Sequence, residues 1–206
     1  MVLKKNGTQP SAAPLIDKEG FFYYQTGMWK NIFLGRAINS TLLCLISDMT
    51  SQHTTPTEVT MRQTNQLLDY IATQEDAVIT HTSSNMKLEV HSNASSLSKP
   101  KDRIRAGGHF SLSNKVTIPQ NNGAILNIAH IIKYIMSTAT EAKLAALYIM
   151  ARQAVYIRII LEEMGHKQLP PPLQTENATE DAVYNRNIKP KQTKAMDIRF
   201  HWLRDR

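Results

Sequence analysis

Glu141 is the side chain best placed for chemistry. It stands in the first turn of the most strongly patterned helix of the chain, where a carboxylate faces whatever the preceding strand delivers. The same residue completes a Thr138-x-x-Glu141 capping box, so residue chemistry alone accounts for it as a helix cap favoured by the helix dipole. His91 beside Ser92 and Ser95 hints at an activated hydroxyl, but no fixed acid and no glycine-framed elbow accompany them. His81, His91, His109 and His130 fall on strand-like segments without the spacing of metal ligands, which argues against zinc. By type and context Asn93 reads as a turn residue, Asn177 as a helix cap and Asp197 as a first-turn acid of the last helix. Trp29 and Trp202 read as core or lid residues rather than base-stacking platforms.

A net charge of +7 and a pI near 9.5 favour a polyanionic partner, and nucleic acid is the commonest one. The charge is spread out except at Lys99-Pro-Lys-Asp-Arg-Ile-Arg105 and at Lys189-Pro-Lys-Gln-Thr-Lys194, where Lys189, Lys191 and Lys194 are the candidates to touch phosphate. No apolar run approaches the ~20 residues that span a bilayer, and Met1 to Gly7 carries no apolar core behind its lysines. A soluble, intracellular protein, cytoplasmic or nuclear, is therefore expected, with no membrane partner. The lone Cys44 sits in the apolar run Leu42 to Ile46 and is expected to be a packed thiol. Without a secretory signal, the glycosylation spellings at Asn6, Asn39, Asn93 and Asn177 are read as chance.

A length of 206 residues with 42% apolar composition is enough for a substantial core. Residues 1–18 lack periodicity and read as a flexible lead-in. From Phe21 to Met49, Ile32, Phe33, Ala37, Leu42, Leu45 and Ile46 fall in helical steps interrupted near Gly35 and Asn39-Ser40, which predicts two short helices. Thr57 caps a further helix ending near Thr73, and Ala77 to Thr82 is a short extended piece. Met86, Leu88 and Val90 alternate with Lys87, Glu89 and His91 as in a strand with one buried face. A second strand runs from Ala106 to Leu112, with glycines where another backbone can approach. After an Asn121-Asn-Gly123 turn, a third covers Ala124 to Met136. The central helix from Thr138 to Gly165 buries Leu144, Leu147, Tyr148, Ala151, Val155 and Ile159. Pro172 to Glu176 is a candidate parallel strand, Asp181 to Tyr184 a short helix, and Met196, Phe200 and Leu203 share the face of a last helix. The pattern defines an α+β or α/β layer rather than a helical bundle.

The order of elements, with acidic or amide residues after strand one, at the start of the long helix and after strand four, resembles the ribonuclease H fold. A series of short words carries the resemblance further: His91-Ser-Asn-Ala-Ser95, Arg105-Ala-Gly-Gly-His-Phe110, Asn121-Asn-Gly-Ala-Ile-Leu126, Thr175-Glu-Asn177 and Lys194-Ala-Met-Asp-Ile-Arg-Phe-His-Trp-Leu-Arg204. Together they resemble the ribonuclease H domain at the end of a copia-type LTR retrotransposon polyprotein. The stretch Leu68 to Val78 resembles the segment that links the reverse transcriptase to that domain, so the match runs from roughly Gly27 to Arg206. The resemblance implies a ribonuclease H-like mixed sheet with flanking helices over 83–206. It implies a helical remnant of the reverse transcriptase connection over 19–82, and as partners an RNA–DNA hybrid and the rest of the retroelement polyprotein.

It also implies a chemistry. In that family four carboxylates hold two divalent metals, Mg2+ or Mn2+, and the RNA strand of a hybrid is hydrolysed. Two such ions about 3.5 to 4 Å apart activate water and stabilise the leaving oxygen. Residue by residue, the strand-one aspartate falls on Asn93, a neutral amide. The helix glutamate falls on Glu141, and the strand-four aspartate on Glu176, one methylene longer. Displacement by ~1 Å can cost on the order of a hundredfold in rate. The family's fourth carboxylate lies on a helix beyond a further strand. The chain stops at Arg206, so both are expected to be missing and the sheet incomplete at its C-terminal side; Asp197 belongs to the preceding helix and is no substitute. The expected protein is a degenerate ribonuclease H-like fragment, poorly active or inactive. The alternatives are an active metal-dependent ribonuclease H and a non-catalytic nucleic-acid-binding module.

Overall fold

The computed structural model describes residues 13–74, 76, 78–95, 104–114, 122–132, 138–175 and 202–203. Three helices open the chain: α1 (Lys18–Ala37), α2 (Leu43–Thr50, reached through a 3-10 turn at Ser40–Leu42) and α3 (Glu58–Ala72). A meander follows of β1 (Lys87–Ser95), β2 (Ile104–Ser113) and β3 (Ala124–Ile132), then the long helix α4 (Ala139–Glu163) and a short β4 (Leu173–Thr175). The sheet has the order β3-β2-β1-β4, with β1, β2 and β3 antiparallel and β4 parallel to β1. The protein is thus α+β, a mixed four-stranded sheet with flanking helices.

The helices α1, α3 and α4 start where a short polar side chain can take up a backbone N–H that the first turn leaves unbonded, whereas α2 continues directly from the 3-10 turn without a side-chain cap. The Asp17 carboxylate accepts from the Gly20 amide at 2.8 Å, and Thr57 and Thr60 form a reciprocal capping box on α3. The Thr138 hydroxyl accepts from the Glu141 amide at 3.1 Å on α4. Gly165, with φ of +91°, takes the left-handed conformation just beyond the last turn of α4. Two helices do form over Phe21 to Met49 as expected, but the chain does not break at Gly35: α1 runs through it, and the absence of a side chain there admits Ile46 and Leu43, which a Cβ would meet at 3.0 and 3.2 Å. The break comes at Asn39, whose side chain accepts from the Thr41 amide. The lead-in is pinned from residue 14 onward: Ile16 donates to the Pro56 carbonyl, Glu58 donates to the Pro14 carbonyl, and Leu15 pairs with Thr57.

Two cores result. Tyr24, Met28, Leu42, Ile46, Met49 and Leu67 pack among the three N-terminal helices. Burial pushes the Tyr24 phenol above its ordinary range, and its hydroxyl donates to the Met49 carbonyl at 2.5 Å. The second core lies between one face of the sheet (Leu88, Val90, Ile104, Ala106, Phe110, Ile132) and the alanine side of α4 (Ala142, Ala145, Ala146, Ala154) with Met150. Small side chains let the helix lie close to the strands. The stripe read from the sequence splits: Leu144, Leu147 and Ala151 do pack, but against Leu203, beside Tyr148 and Trp202, while Ile159 is exposed. An Asp48–Arg105 ion pair ties α2 to β2.

Several further expectations are corrected. Cys44 is exposed rather than packed. Trp29, Phe33 and Leu45 point outward. On β1 the expected alternation fails at one residue: Glu89 is buried beside Leu88 and Val90, whereas Lys87 and His91 on its face are half-buried and Asn93 is exposed. The long helix α4 is, by length and composition, apolar enough to cross a membrane, against the expectation that no run approached that length; here its alanine side serves the sheet. The helices expected at Asp181 to Tyr184 and Lys194 to Arg206 lie outside the described residues, apart from the helical pair Trp202 and Leu203.

The outer edge of β1 is completed by an unforeseen device. Gln168, on the segment after α4, accepts from the Leu88 amide at 3.1 Å through Oε1 and donates to the Met86 carbonyl at 2.7 Å through Nε2. One amide side chain thus pairs with the strand as a backbone would, until Pro172 and β4 take over at Val90.

Candidate functional site

The site residues implied by the sequence belong to three elements. Glu141 lies in the first turn of α4, half-buried, next to Ala142, which packs on the sheet. Asn93 lies near the end of β1, exposed, opposite Gly107 of β2; its Oδ1 accepts from the Ala94 amide at 2.7 Å. Successive strand residues point to opposite faces, and Leu88, Val90 and Ala94 are the β1 residues beneath α4. Asn93 therefore projects from the face away from the helix that carries Glu141. Ser92 and Thr175, which immediately precede Asn93 and Glu176, are paired in the β1–β4 register. Glu176 itself, with Lys189, Lys191, Lys194, Asn177 and Asp197, lies outside the described residues.

The described part of this set does not fit a pair of magnesium or manganese ions. Hard divalent cations need several charged oxygens converging at fixed geometry. Here one carboxylate and one neutral amide sit on opposite sides of a strand, and the amide oxygen already accepts a backbone hydrogen bond. Among the described residues no three His, Cys, Asp or Glu side chains gather into one cluster.

On the face of the sheet turned away from α4, the register builds a polar row that sequence spacing conceals. His91 of β1 stands opposite His109 of β2, which stands opposite Asn127 of β3. The two imidazoles meet edge to face with ring centres 6.1 Å apart, and His109 Nδ1 lies 2.9 Å from Asn127 Oδ1. On the other side of His91 its register partner is Gln174 of β4. The row borders a depression of about 270 Å3 that also takes in Asn93 and Gly107. A neighbouring depression shares Asn93 and Gly107 and reaches Cys44 and Arg105. Strand alternation places His91 and His109 each on this face once the pairing is known; the pairing is what the sequence alone does not supply.

No family model, no curated protein and no solved structure matches the chain.

Proposed function

We propose that this chain is a fragment of a copia-type retrotransposon polyprotein, a ribonuclease H-like domain preceded by a helical remnant of the reverse transcriptase connection, and poorly active or inactive as a nuclease. The element order supports the ribonuclease H-like reading: a three-stranded meander, a long helix entered at Glu141, then a strand parallel to the first. The ordered series of words from His91 to Arg204 supports the copia-type assignment. The observation that carries the loss of activity is Asn93. The position matched to the first metal-binding aspartate holds an uncharged amide, directed to the side of β1 away from Glu141.

In this reading Mg2+ or Mn2+ would be the cofactor only of an active form, and the surviving interaction with an RNA–DNA hybrid is electrostatic. It draws on the net charge of +7 and on Lys189, Lys191 and Lys194, in an intracellular setting, cytoplasmic or nuclear. The test is cleavage of an RNA–DNA hybrid by the full chain in Mg2+ or Mn2+, against a Glu141→Ala control. The expected result is no hydrolysis above the control. Hydrolysis that Glu141→Ala abolishes would replace this reading with that of an active ribonuclease H.

A further inference from the structure

We propose that the cross-strand pair His91 and His109 is a binding site for a late first-row divalent cation such as Zn2+ or Cu2+, on the face of the sheet opposite α4 and separate from the set around Glu141. Imidazole nitrogen suits these ions, whereas magnesium prefers oxygen. His109 is already oriented as a ligand. An amide oxygen can only accept, so the 2.9 Å contact with Asn127 Oδ1 places the proton on His109 Nδ1 and leaves Nε2 with its lone pair. A second hydrogen bond of this kind is the usual support of a metal-bound histidine. Asn127 is itself buried at the centre of β3, so the support is rigid.

His91 supplies the partner and the freedom to adjust. Its ring makes no hydrogen bond among the described residues, so rotating it breaks none. A cation bound at ~2.0–2.1 Å by each of two imidazole nitrogens holds their ring centres roughly 5 to 6 Å apart. The observed 6.1 Å lies just beyond that span, and rotation of His91 is the adjustment that would close the pair on a cation. The ground beside the pair is open because Gly107 carries no side chain, and a Cβ there would meet only the Asn93 carbonyl oxygen at 3.8 Å. Two protein nitrogens leave coordination positions for water, with the amide of Gln174 across the sheet as an outer partner. Such a site holds its metal in open fashion rather than as a closed structural centre.

The test is calorimetric titration of the full chain with Zn2+, and separately Cu2+, with Mg2+ as the contrasting ion. One equivalent is expected to bind. His91→Gln and His109→Gln are each expected to weaken it by about tenfold or more, and Asn127→Ala by about tenfold. His130→Gln, at an exposed site on β3, should leave it unchanged. A measurement on the unaltered chain guards against misfolded variants: the imidazole nitrogen NMR signals of His91 and His109 should shift together on adding Zn2+ while that of His130 stays. Unchanged binding in both histidine variants, unmoved His91 and His109 signals at saturation, or equal affinity for Mg2+ would each overturn the proposal.

Discussion

Gly107 and Gly108 are adjacent in β2, yet the same substitution should act with opposite sign at each. A Cβ at Gly108 would lie 2.0 Å from Met150 Sδ, 3.0 Å from its Cγ and 3.2 Å from its Cε. Carbon atoms rest in contact at about 3.5–4.0 Å, so the overlap is severe. Met150 has no exposed surface and cannot swing into water. The helix must lift from the sheet or the side chain must leave its rotamer, and overpacking of this kind costs about 1–3 kcal/mol. Against that, replacing glycine in a strand gains roughly 0.5–1 kcal/mol from the unfolded chain. So severe an overlap belongs in the upper part of that range, about 2–3 kcal/mol, and Gly108→Ala should therefore destabilise by about 1–2.5 kcal/mol. Gly107→Ala faces the other side, where the nearest atom is the Asn93 carbonyl oxygen at 3.8 Å. It should be neutral or stabilising by up to about 1 kcal/mol. The expectation that these glycines admit another backbone is thus corrected at Gly108: what approaches is the side chain of α4.

Urea unfolding followed by circular dichroism measures both variants. The double variant Gly108→Ala with Met150→Ala sharpens the test. Met150→Ala alone opens a cavity at a cost of about 2–5 kcal/mol, and the new methyl at 108 then enters emptied space, so the two effects should fall well short of additive. A Gly108→Ala protein as stable as the parent, or a costlier Gly107→Ala, would refute the packing of α4 on β2 described above.

Gln168→Ala removes both partners of the Leu88 amide and the Met86 carbonyl and should cost about 1–3 kcal/mol, with faster amide exchange at Leu88; a loss below ~0.5 kcal/mol would contradict the strand-like role of that side chain. Tyr24→Phe should cost about 0.5–1.5 kcal/mol at neutral pH. It should also flatten the alkaline limb of stability. Burial holds the folded phenol protonated above the ordinary 10.0, so the unfolded chain ionises first, and the stability present below pH 10 falls as pH climbs toward the folded value. Equal alkaline slopes for parent and variant in pH-dependent melts would count against that assignment.

What the sequence disclosed follows from which physical signals are local. Thr57 and Thr138 announced their helices because a cap acts within three residues. The strands around Leu88, Phe110 and Leu126 were legible because alternation and turn residues are short-range. The buried face of α1 was not. That helix carries apolar residues all round, so Phe22, Trp29 and Phe33 are exposed while Tyr24 and Met28 are buried, and no polar counter-face fixes the phase. In α4 the leucine stripe was conspicuous, but alanines face the sheet, because closeness of approach rather than side-chain size decides that contact. Exposure of Cys44 and burial of Glu89 likewise depend on neighbours distant in sequence. The His91–His109–Asn127 row is a product of register alone, its members 18 residues apart along the chain.

The residues that carry packing and those assigned chemistry scarcely overlap. Neither core cluster contains Asn93 or Glu141; the first is exposed on β1 and the second half-exposed at a helix start. On the proposed reading this separation explains how activity can be lost while the fold persists. Glu141 has a second role that gives its carboxylate a reason to remain, since a negative charge in the first turn favours the helix N-terminus. At position 93 the side chain accepts from the neighbouring Ala94 amide, a bond that an aspartate makes as well as the asparagine this chain carries, so that local contact does not call for a charge.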